Sequence, residues 1–399
     1  MKNIIMHIDV NNAFLSWTAV DLLKKGYDID IRNIVSVIGG DESKRHGIVL
    51  AKSIPAKNKG IKTAETLREA KRKYYNLNIY PPDYKLYNKM SSLFFDLIRT
   101  YTPDIEVLSV DECFIDYTKV QSLYGDPVKF AYKLKDQIKN ELGFTVNIGV
   151  SNNKLCAKMA SDFMKPDRVH TLFDDEIIDK MYPLPIEDLY GCGKSTSKKL
   201  RDLGINTIGD LACADFNYLY KYFKNQASRL INSAKGIDDS IVVSKRADAT
   251  CISNSTTTRY NLTSLDQIYS FLLPLVENVS LQLRKKNKYA SVVGVILKDR
   301  TFKTYQHQSK LKNPTNNTDE IYNISKKLMS ELWNGESIRL VGISLSKLSN
   351  NLNYQLSMFE NIEIHESNKA LDQTLDKLKD LYGSNIIDKA SKKINKKVE

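Results

Sequence analysis

The sequence has few cysteines and few residues that interrupt regular structure. Its cysteines are odd in number and widely spaced, at Cys113, Cys156, Cys192, Cys213 and Cys251, and none forms the Cys-x-x-Cys pair typical of zinc or redox centres. We therefore expect reduced cysteines without a metal or redox role. With 17 Gly and 10 Pro among 399 residues, and no tandem repeat or low-complexity tract, the composition also excludes fibrous and disordered classes.

Long hydrophobic runs are absent too. No apolar stretch approaches the length that spans a bilayer. The first residues are largely apolar, but His7 and Asp9 interrupt them too early for a signal peptide. The sequence therefore predicts a soluble, cytoplasmic protein.

The composition is instead rich in core-forming residues and in positive charge. Hydrophobic residues make up 42%, and 59 Lys and Arg against 47 Asp and Glu give a net charge of +12. A chain of this length predicts two to four folded domains. The basic surplus favours a polyanionic partner, and the missing membrane segment makes nucleic acid the stronger choice.

Three acids stand where strands are predicted to end. Asp9 closes a strand that starts near Asn3, and Asp111 and Glu112 lie at the junction of two strand-like segments. Carboxylates on rigid strand ends suit Mg²⁺, and two such ions promote phosphoryl or nucleotidyl transfer. Adjacent strand residues point to opposite faces, so Asp111 and Glu112 reach one site only at a turn or bulge. Taken alone, each motif also fits solvated surface acids.

The motifs together resemble one protein family. Ser109-Val110-Asp111-Glu112-Cys113-Phe114-Ile115-Asp116 resembles the S-I-D-E-A-[YF]-[LI]-D signature of the Y-family translesion DNA polymerases. The segment from Ile8 to Phe14 resembles that family's first metal-binding segment, and Gly149–Lys158 with Lys165-Pro166 is similar to a palm segment. The resemblance extends over nearly the entire chain.

The resemblance implies a multidomain α/β fold, a right-hand polymerase with a ferredoxin-like palm, small fingers, a helical thumb and an α/β little finger. The expected divisions are residues 1–18 and 76–166 for the palm, 19–75 for the fingers, 167–236 for the thumb with its helix-hairpin-helix, 242–348 for the little finger, and 349–399 for a tail.

It also implies an active site. Asp9, Asp111 and Glu112 would be the catalytic acids, and with the main-chain carbonyl of Val10 they would bind two Mg²⁺ ions. Phe14 would be the steric gate against ribonucleotides, although it also fits an ordinary core aromatic. The nucleotide-binding residues would be Asn12, Ala13, Phe14, Lys57 and Lys165.

Two departures from the family pattern lie in this nucleotide site. Many members have Tyr-x-x-Arg where this chain has Ile54-Pro55-Ala56-Lys57, so a point charge replaces a bidentate guanidinium. Asn12 stands where an aromatic residue is common. We expect the chemistry to survive, while nucleotide affinity and lesion preference do not carry over.

Two regions are predicted to contact DNA. Gly191, Gly193 and Lys194 begin a helix in the pattern of a helix-hairpin-helix, which binds phosphate through backbone N–H groups; a glycine-capped turn is the alternative. Lys298, Arg300 and Lys303 cluster on a strand pair, with Lys310 and Lys312 nearby. They fit a face that follows the DNA backbone, or else a lysine-protected sheet edge.

The tail contains a further motif. Gln355, Leu356, Met358 and Phe359 resemble the peptide that docks on the bacterial sliding clamp. The expected partners are thus primer-template DNA, deoxynucleoside triphosphates and that clamp, with no membrane and a monomeric chain.

We therefore expect a template-directed, low-fidelity DNA polymerase active in DNA damage tolerance. One alternative is another palm-type enzyme such as a nucleotide cyclase, which would not need the basic second half. The other is a catalytically silent DNA- or clamp-binding protein, and the three intact acids argue against it.

Overall fold

The computed structural model describes residues 3–45, 47–245, 248–350, 362–383 and 386–387. The chain divides into two compact units. The first comprises residues 1–40 and 47–246, and the second comprises residues 41–46 and 247–399. Both units combine helices with β-sheets.

The first unit contains two sheets. Its strands are β1 (Ile5–Val10), β2 (Ser36–Gly39), β3 (Val49–Lys52), β4 (Asn78–Tyr80), β5 (Ile105–Val107), β6 (Glu112–Asp116), β7 (Val146–Ser151) and β8 (Val169–Leu172). The larger sheet has the order β5-β6-β1-β7-β8, and the smaller has the order β3-β2-β4. All pairs in the larger sheet are antiparallel except β7 with β8.

Helices surround these sheets. They are α1 (Ala13–Lys24), α2 (Ile54–Asn58), α3 (Leu67–Lys73), α4 (Tyr84–Arg99), α5 (Gln121–Tyr124), α6 (Pro127–Leu142), α7 (Lys154–Asp162), α8 (Ile177–Lys180), α9 (Lys194–Asp202), α10 (Ile208–Ala212), α11 (Phe216–Phe223) and α12 (Gln226–Ala234). Helices α8 to α12 share a separate core with part of α7, which agrees with the helical region expected after the first α/β segment.

Strand β1 is central and is buried along its whole length. Because side chains alternate along a strand, Met6, Ile8 and Val10 join the core formed with α4 and α6. His7 and Asp9 therefore face the opposite side of the sheet, against which α7 packs. The apolar alternation of β1 thus places an acid and a histidine on one shared face.

The second unit is a four-stranded antiparallel sheet with helices. Its elements are β9 (Cys251–Leu262), α13 (Leu265–Lys285), β10 (Tyr289–Asp299), β11 (Thr304–Thr315), α14 (Thr318–Leu332), β12 (Ile338–Ser349) and α15 (Ile362–Tyr382). The strand order is β11-β10-β12-β9, and the core lies between the sheet and helices α13 and α14. The sequence does not predict β9, because this edge strand is mostly threonine, serine and asparagine and has little apolar alternation.

The tail helix α15 is attached to this unit by acids. Asp372 accepts a hydrogen bond from the backbone N–H of Thr318 at 3.0 Å, and Arg284 forms ion pairs with Asp372 and Asp376. Helix α15 lies in the region expected to be a tail, and it begins at Ile362 and ends at Tyr382. Within the described ranges, no helix is both long and apolar enough to cross a membrane.

Candidate active site

A cavity of about 590 Å³ opens at the end of β1 in the first unit. It brings together most of the residues expected to bind metal and nucleotide, which lie far apart in the sequence. Its lining includes Asp9, Val10, Asn12, Ala13, Phe14, Lys57, Asp111 and Lys165. Glu112 does not line this cavity.

The three acids meet through strand pairing and a turn. Asp9 of β1 lies directly opposite Glu112 of β6, and the backbone N–H of Val10 donates to the carbonyl of Asp111 at 3.0 Å. Asp111 precedes β6 in the bend that follows β5. The bend therefore ends at Asp111, and the strand begins with the adjacent Glu112. Burial raises the pKa of Asp111, while the nearby Ser109 hydroxyl opposes that rise.

Two lysines lie against these carboxylates. Lys158 Nζ is 2.7 Å from Glu112 Oε2 and 4.0 Å from Asp9 Oδ2. Lys165 Nζ contacts Asp9 and lies 2.8 Å from Asp162 Oδ1. Although burial disfavours both ammonium charges, the surrounding carboxylates raise the pKa of each lysine, so both are cationic at neutral pH.

His7 completes this cluster behind Glu112. Its Nε2 is 3.3 Å from Glu112 Oε2, and its Nδ1 is 2.8 Å from the Ser161 hydroxyl. Burial lowers the pKa of His7, so the ring is neutral. The imidazole and the Lys158 ammonium together lower the pKa of Glu112 to about 2.

The oxygen donors of this site have the chemistry that a divalent metal requires. Within the described residues, no three His, Cys, Asp or Glu side chains already stand at metal-binding spacing. The donors themselves are nevertheless the hard oxygens that Mg²⁺ prefers, and Asp9, Asp111 and the backbone of Val10 share one cavity. The acids also already attract two ammonium groups, which shows their demand for positive charge. The residues therefore fit a divalent cation.

The start of α1 faces the same cavity. Asn12 adopts a left-handed conformation (φ 50°, ψ 52°) as the N-cap, and its side chain does not cap the helix. The first amides of α1, including those of Ala13 and Phe14, are consequently not satisfied by this cap. Such N–H groups, at the positive end of a helix dipole, suit phosphate.

Phe14 is held by aromatic neighbours. Its ring stacks on Tyr87 with centroids 4.4 Å apart and planes inclined by 6°. Tyr84 meets Phe14 edge-on at 6.3 Å, and Tyr87 is itself buried. Phe14 thus lines the cavity as a ring fixed from behind, a geometry compatible with both of its expected roles.

Lys57 is accompanied by a second lysine that the sequence reasoning did not select. Lys52, on β3, lines the same cavity and donates a hydrogen bond to the Thr63 hydroxyl at 2.9 Å. Burial and the neighbouring Lys57 charge lower the pKa of Lys52. The alternation of β3 could have identified Lys52, because it follows buried Ala51 and points to the other face.

Lys165 lies on a loop that is held in place by hydrogen bonds and ion pairs. The side chain of Asn11 accepts a hydrogen bond from the backbone N–H of Asp167 at 2.9 Å, and the Asp167 carboxylate binds Lys135 at 2.8 Å and Lys139 at 2.9 Å. These contacts fix the loop beside the end of β1. They explain how a residue 156 positions away reaches Asp9.

The expected helix-hairpin-helix glycines differ in their environments. Gly191 has φ +84°, a conformation that favours glycine, whereas Gly193 is the N-cap of α9 at φ −70°. A Cβ added to Gly193 would meet nothing within 4 Å. Lys194 then begins α9, and the open backbone at Gly193 leaves room for a ligand at the helix start.

In the second unit, the expected basic residues surround one hairpin. Lys298 pairs with Thr304 across β10 and β11, and Arg300 and Lys303 lie in the connecting turn. Asp299 closes that turn by accepting hydrogen bonds from the backbone N–H groups of Thr301 and Lys303. The clamp-motif residues Gln355, Leu356, Met358 and Phe359 lie outside the described residues.

Family comparison assigns this architecture to a class. Residues 8–162 match the impB/mucB/samB family, residues 174–205 match the IMS family HHH motif, and residues 250–358 match the impB/mucB/samB family C-terminal domain. The chain therefore belongs to the impB/mucB/samB family. This confirms the predicted relationship to the Y-family polymerases.

Individual relatives cover almost the whole chain. It is 47% identical over 388 residues to the DNA polymerase IV of Clostridium acetobutylicum, covering 97% of each sequence. It is 33% identical over 387 residues to the DNA polymerase IV of Acetivibrio thermocellus, covering 96% of each.

A solved structure shows the same fold. The Y-family DNA polymerase chimera Dbh-Dpo4(243-245)-Dbh matches with a TM-score of 0.75 and 21% identity, covering 87% of this chain and all of that chain. The predicted α/β polymerase fold is thereby confirmed, and the matched HHH motif agrees with the expected helix-hairpin-helix. The predicted domain limits and the individual site residues stay predictions.

The sequence motifs do not indicate the side chains that lie behind the acids, which are Lys158 and His7. The sequence pattern identifies Lys158 only as part of a palm-like segment, and His7 only as an interruption of an apolar run. Their spacing from acids could have identified both residues. His7 is two residues before Asp9 on one strand face, and Lys158 is four residues before Asp162 on one helix face. Only strand pairing shows that both converge on Glu112.

Proposed function

We propose that this Y-family DNA polymerase extends a primer 3′-OH on a DNA template with two Mg²⁺ ions held by Asp9, Asp111, Glu112 and the Val10 carbonyl. The primer hydroxyl attacks the α-phosphorus of a deoxynucleoside triphosphate, and pyrophosphate leaves. The bound metal would lower the charge that develops on the reacting phosphate. This function is low in fidelity and serves damage tolerance.

A single observation supports this proposal most strongly. One cavity contains two of the acids, a helix start with uncapped amides, three lysines and an aromatic ring. The acids would hold the metal, the amides and lysines would contact the triphosphate, and the ring would lie against the sugar of the nucleotide. Lys57 and Lys165 would contact the triphosphate as point charges, and the amides of Asn12, Ala13 and Phe14 would donate to its oxygens.

We further propose how the chain binds its macromolecular partners. The Gly191–Lys194 turn and the Lys298–Lys303 hairpin would contact the DNA backbone, which gives affinity without reading base sequence. The segment at Gln355, Leu356, Met358 and Phe359 would dock on the bacterial sliding clamp. The enzyme would act as a cytoplasmic monomer.

Primer extension with an acid variant tests the polymerase site. We expect the wild-type chain to extend a primer-template in Mg²⁺ and to fail in EDTA. Asp111→Asn keeps the shape of the side chain but removes a charged ligand, so extension should fall by about 10³-fold or more. Product formation is measured on an undamaged template and on one with an abasic site.

The matched control is Asp116→Asn at the other end of β6, where the acid does not line the cavity. This variant should retain near wild-type extension. Undiminished extension by Asp111→Asn would overturn the site assignment. Nucleotide turnover that needs no primer would instead favour a cyclase.

A further inference from the structure

The pairing of β1 with β6 creates an electrostatic problem. Asp9 and Glu112 are directly opposed residues on adjacent strands, and both side chains are on the face covered by α7. Like charges in such cross-strand pairs destabilise a sheet. Both side chains are also largely removed from water, with 13% and 24% of their surface exposed. Some positive charge must therefore accompany them.

Lys158 supplies that charge from α7. Its Nζ is 2.7 Å from Glu112 Oε2, 4.0 Å from Asp9 Oδ2 and 3.5 Å from Asp162 Oδ2. The side chain is only 11% exposed, so its ammonium is held among carboxylates rather than in solvent. Lys165, the other lysine near Asp9, is 36% exposed, and within the described part of the chain it forms ion pairs with Asp9 and Asp162 but not with Glu112.

Neighbouring groups fix Glu112 toward this lysine. His7 lies on one side of the Glu112 carboxylate, and the same Glu112 oxygen that contacts Lys158 lies 3.3 Å from the ring. The Ser161 hydroxyl holds the far nitrogen of His7. Glu112 is therefore drawn away from the cavity that Asp9 and Asp111 line.

We propose that Lys158 is a positioning residue that acts as a built-in counter-charge: it holds Glu112 against α7 and thereby weakens divalent-cation binding by the enzyme without substrates. The inference rests on the proposed function, which makes Asp9 and Glu112 the metal ligands. The physical reason is that a dication would compete with the Lys158 ammonium for the carboxylates of Asp9 and Glu112. Charges a few ångströms apart in a half-buried site interact strongly compared with thermal energy.

A lysine-to-methionine change removes the charge and keeps an unbranched side chain. The probe is Mn²⁺ alone, with neither DNA nor nucleotide, and free Mn²⁺ is measured by electron paramagnetic resonance. We expect Lys158→Met to bind Mn²⁺ roughly tenfold more tightly than the wild type. Lys158→Arg keeps the charge and should bind Mn²⁺ about as weakly as the wild type.

The matched control lies four residues earlier on the same helix. Lys154 is similarly covered, with 14% of its side chain exposed, and its Nζ is 2.7 Å from Glu106 Oε1. Glu106 is not an expected metal ligand. Lys154→Met should therefore lower thermal stability without changing Mn²⁺ affinity.

A melting experiment keeps the proposal testable if Lys158→Met is hard to fold. In EDTA this variant, or Lys158→Gln, should melt below the wild type because the carboxylates lose their counter-charge. Added Mn²⁺ should raise its melting temperature more than it raises that of the wild type. A merely structural lysine would lower the melting temperature equally with and without Mn²⁺.

Unchanged or weaker Mn²⁺ binding by folded Lys158→Met would overturn the proposal that Lys158 acts as a counter-charge. That result leaves the polymerase assignment intact as long as the wild type extends primers and Asp111→Asn does not. Conversely, a wild type that fails to extend primers would reject the proposed function, whatever the Mn²⁺ affinities.

Discussion

At the scale of single residues, Phe14 is the residue predicted to select the nucleotide sugar by its shape. It lines the cavity beside the start of α1, and its stacking on buried Tyr87 prevents it from moving back. Close packing makes such a wall costly to displace. A sugar that carries an additional hydroxyl would meet this wall, whereas a deoxyribose would not.

We therefore expect Phe14→Ala to accept ribonucleotides. Its ratio of kcat/KM for a deoxynucleotide to that for the matching ribonucleotide should fall by about 10- to 100-fold, because removing the ring removes the steric clash. Single-nucleotide incorporation with both substrates measures this ratio.

Tyr84→Ala is the comparison, since Tyr84 contacts Phe14 only edge-on and does not line the cavity. It should change the ratio little. If Phe14→Ala keeps the wild-type preference, Phe14 is a core aromatic and not a gate.

The residue scale also shows what the sequence could predict. Asp9, Asp111 and Phe14 were selected from motifs, and the structure brings all three into one cavity. Lys158 and His7 were not selected because their role depends on which face of β1 and α7 meets β6. Long-range pairing decides that, and local patterns do not contain it.

At the scale of elements, α9 and its preceding turn combine two glycines with different tasks. Gly191 needs its positive φ to make the turn, so a side chain there is strained. Gly193 has an ordinary φ, and a Cβ would meet only open space. Backbone strain therefore explains the first glycine, whereas the second is a favoured N-cap residue with open space beside it.

The two alanine variants should separate these tasks. Gly191→Ala should lower the free energy of unfolding by about 1 kcal/mol. Gly193→Ala should lower it by only about 0.5 kcal/mol, because alanine is a poorer N-cap than glycine, yet it should weaken primer-template binding several-fold because its methyl group would occupy the place of a phosphate. Thermal melts and fluorescence anisotropy at fixed salt measure the two effects.

An unaltered DNA affinity in Gly193→Ala would indicate a simple capped turn.

The sequence predicts some of the helices and strands but not all of them. The helix after Gly193 follows from its sequence pattern, whereas edge strand β9 does not, because its polar residues give no alternation and its pairing with β12 determines its conformation.

At the scale of the whole molecule, the distribution of the net charge of +12 over the chain matters more than its total. Edge strand β11 carries Lys310 and Lys312 and contains no acid, and the adjoining turn adds Arg300 and Lys303. Asp299, the acid beside this turn, is occupied in closing it. The hairpin from Tyr289 to Thr315 therefore carries five Lys and Arg residues against one acid.

Counterion release gives this distribution a measurable consequence. Each phosphate contact that is lost should reduce the slope of log K against log salt by about 0.9. Replacing Lys298, Arg300 and Lys303 by Gln should therefore flatten the slope by about two to three units and weaken binding to all DNA sequences alike.

A control variant removes the same charge from helices α6 and α14 by changing Lys129, Lys133 and Lys327 to Gln. Its slope should remain near the wild type if position matters, and equal flattening in both variants would show that only net charge counts.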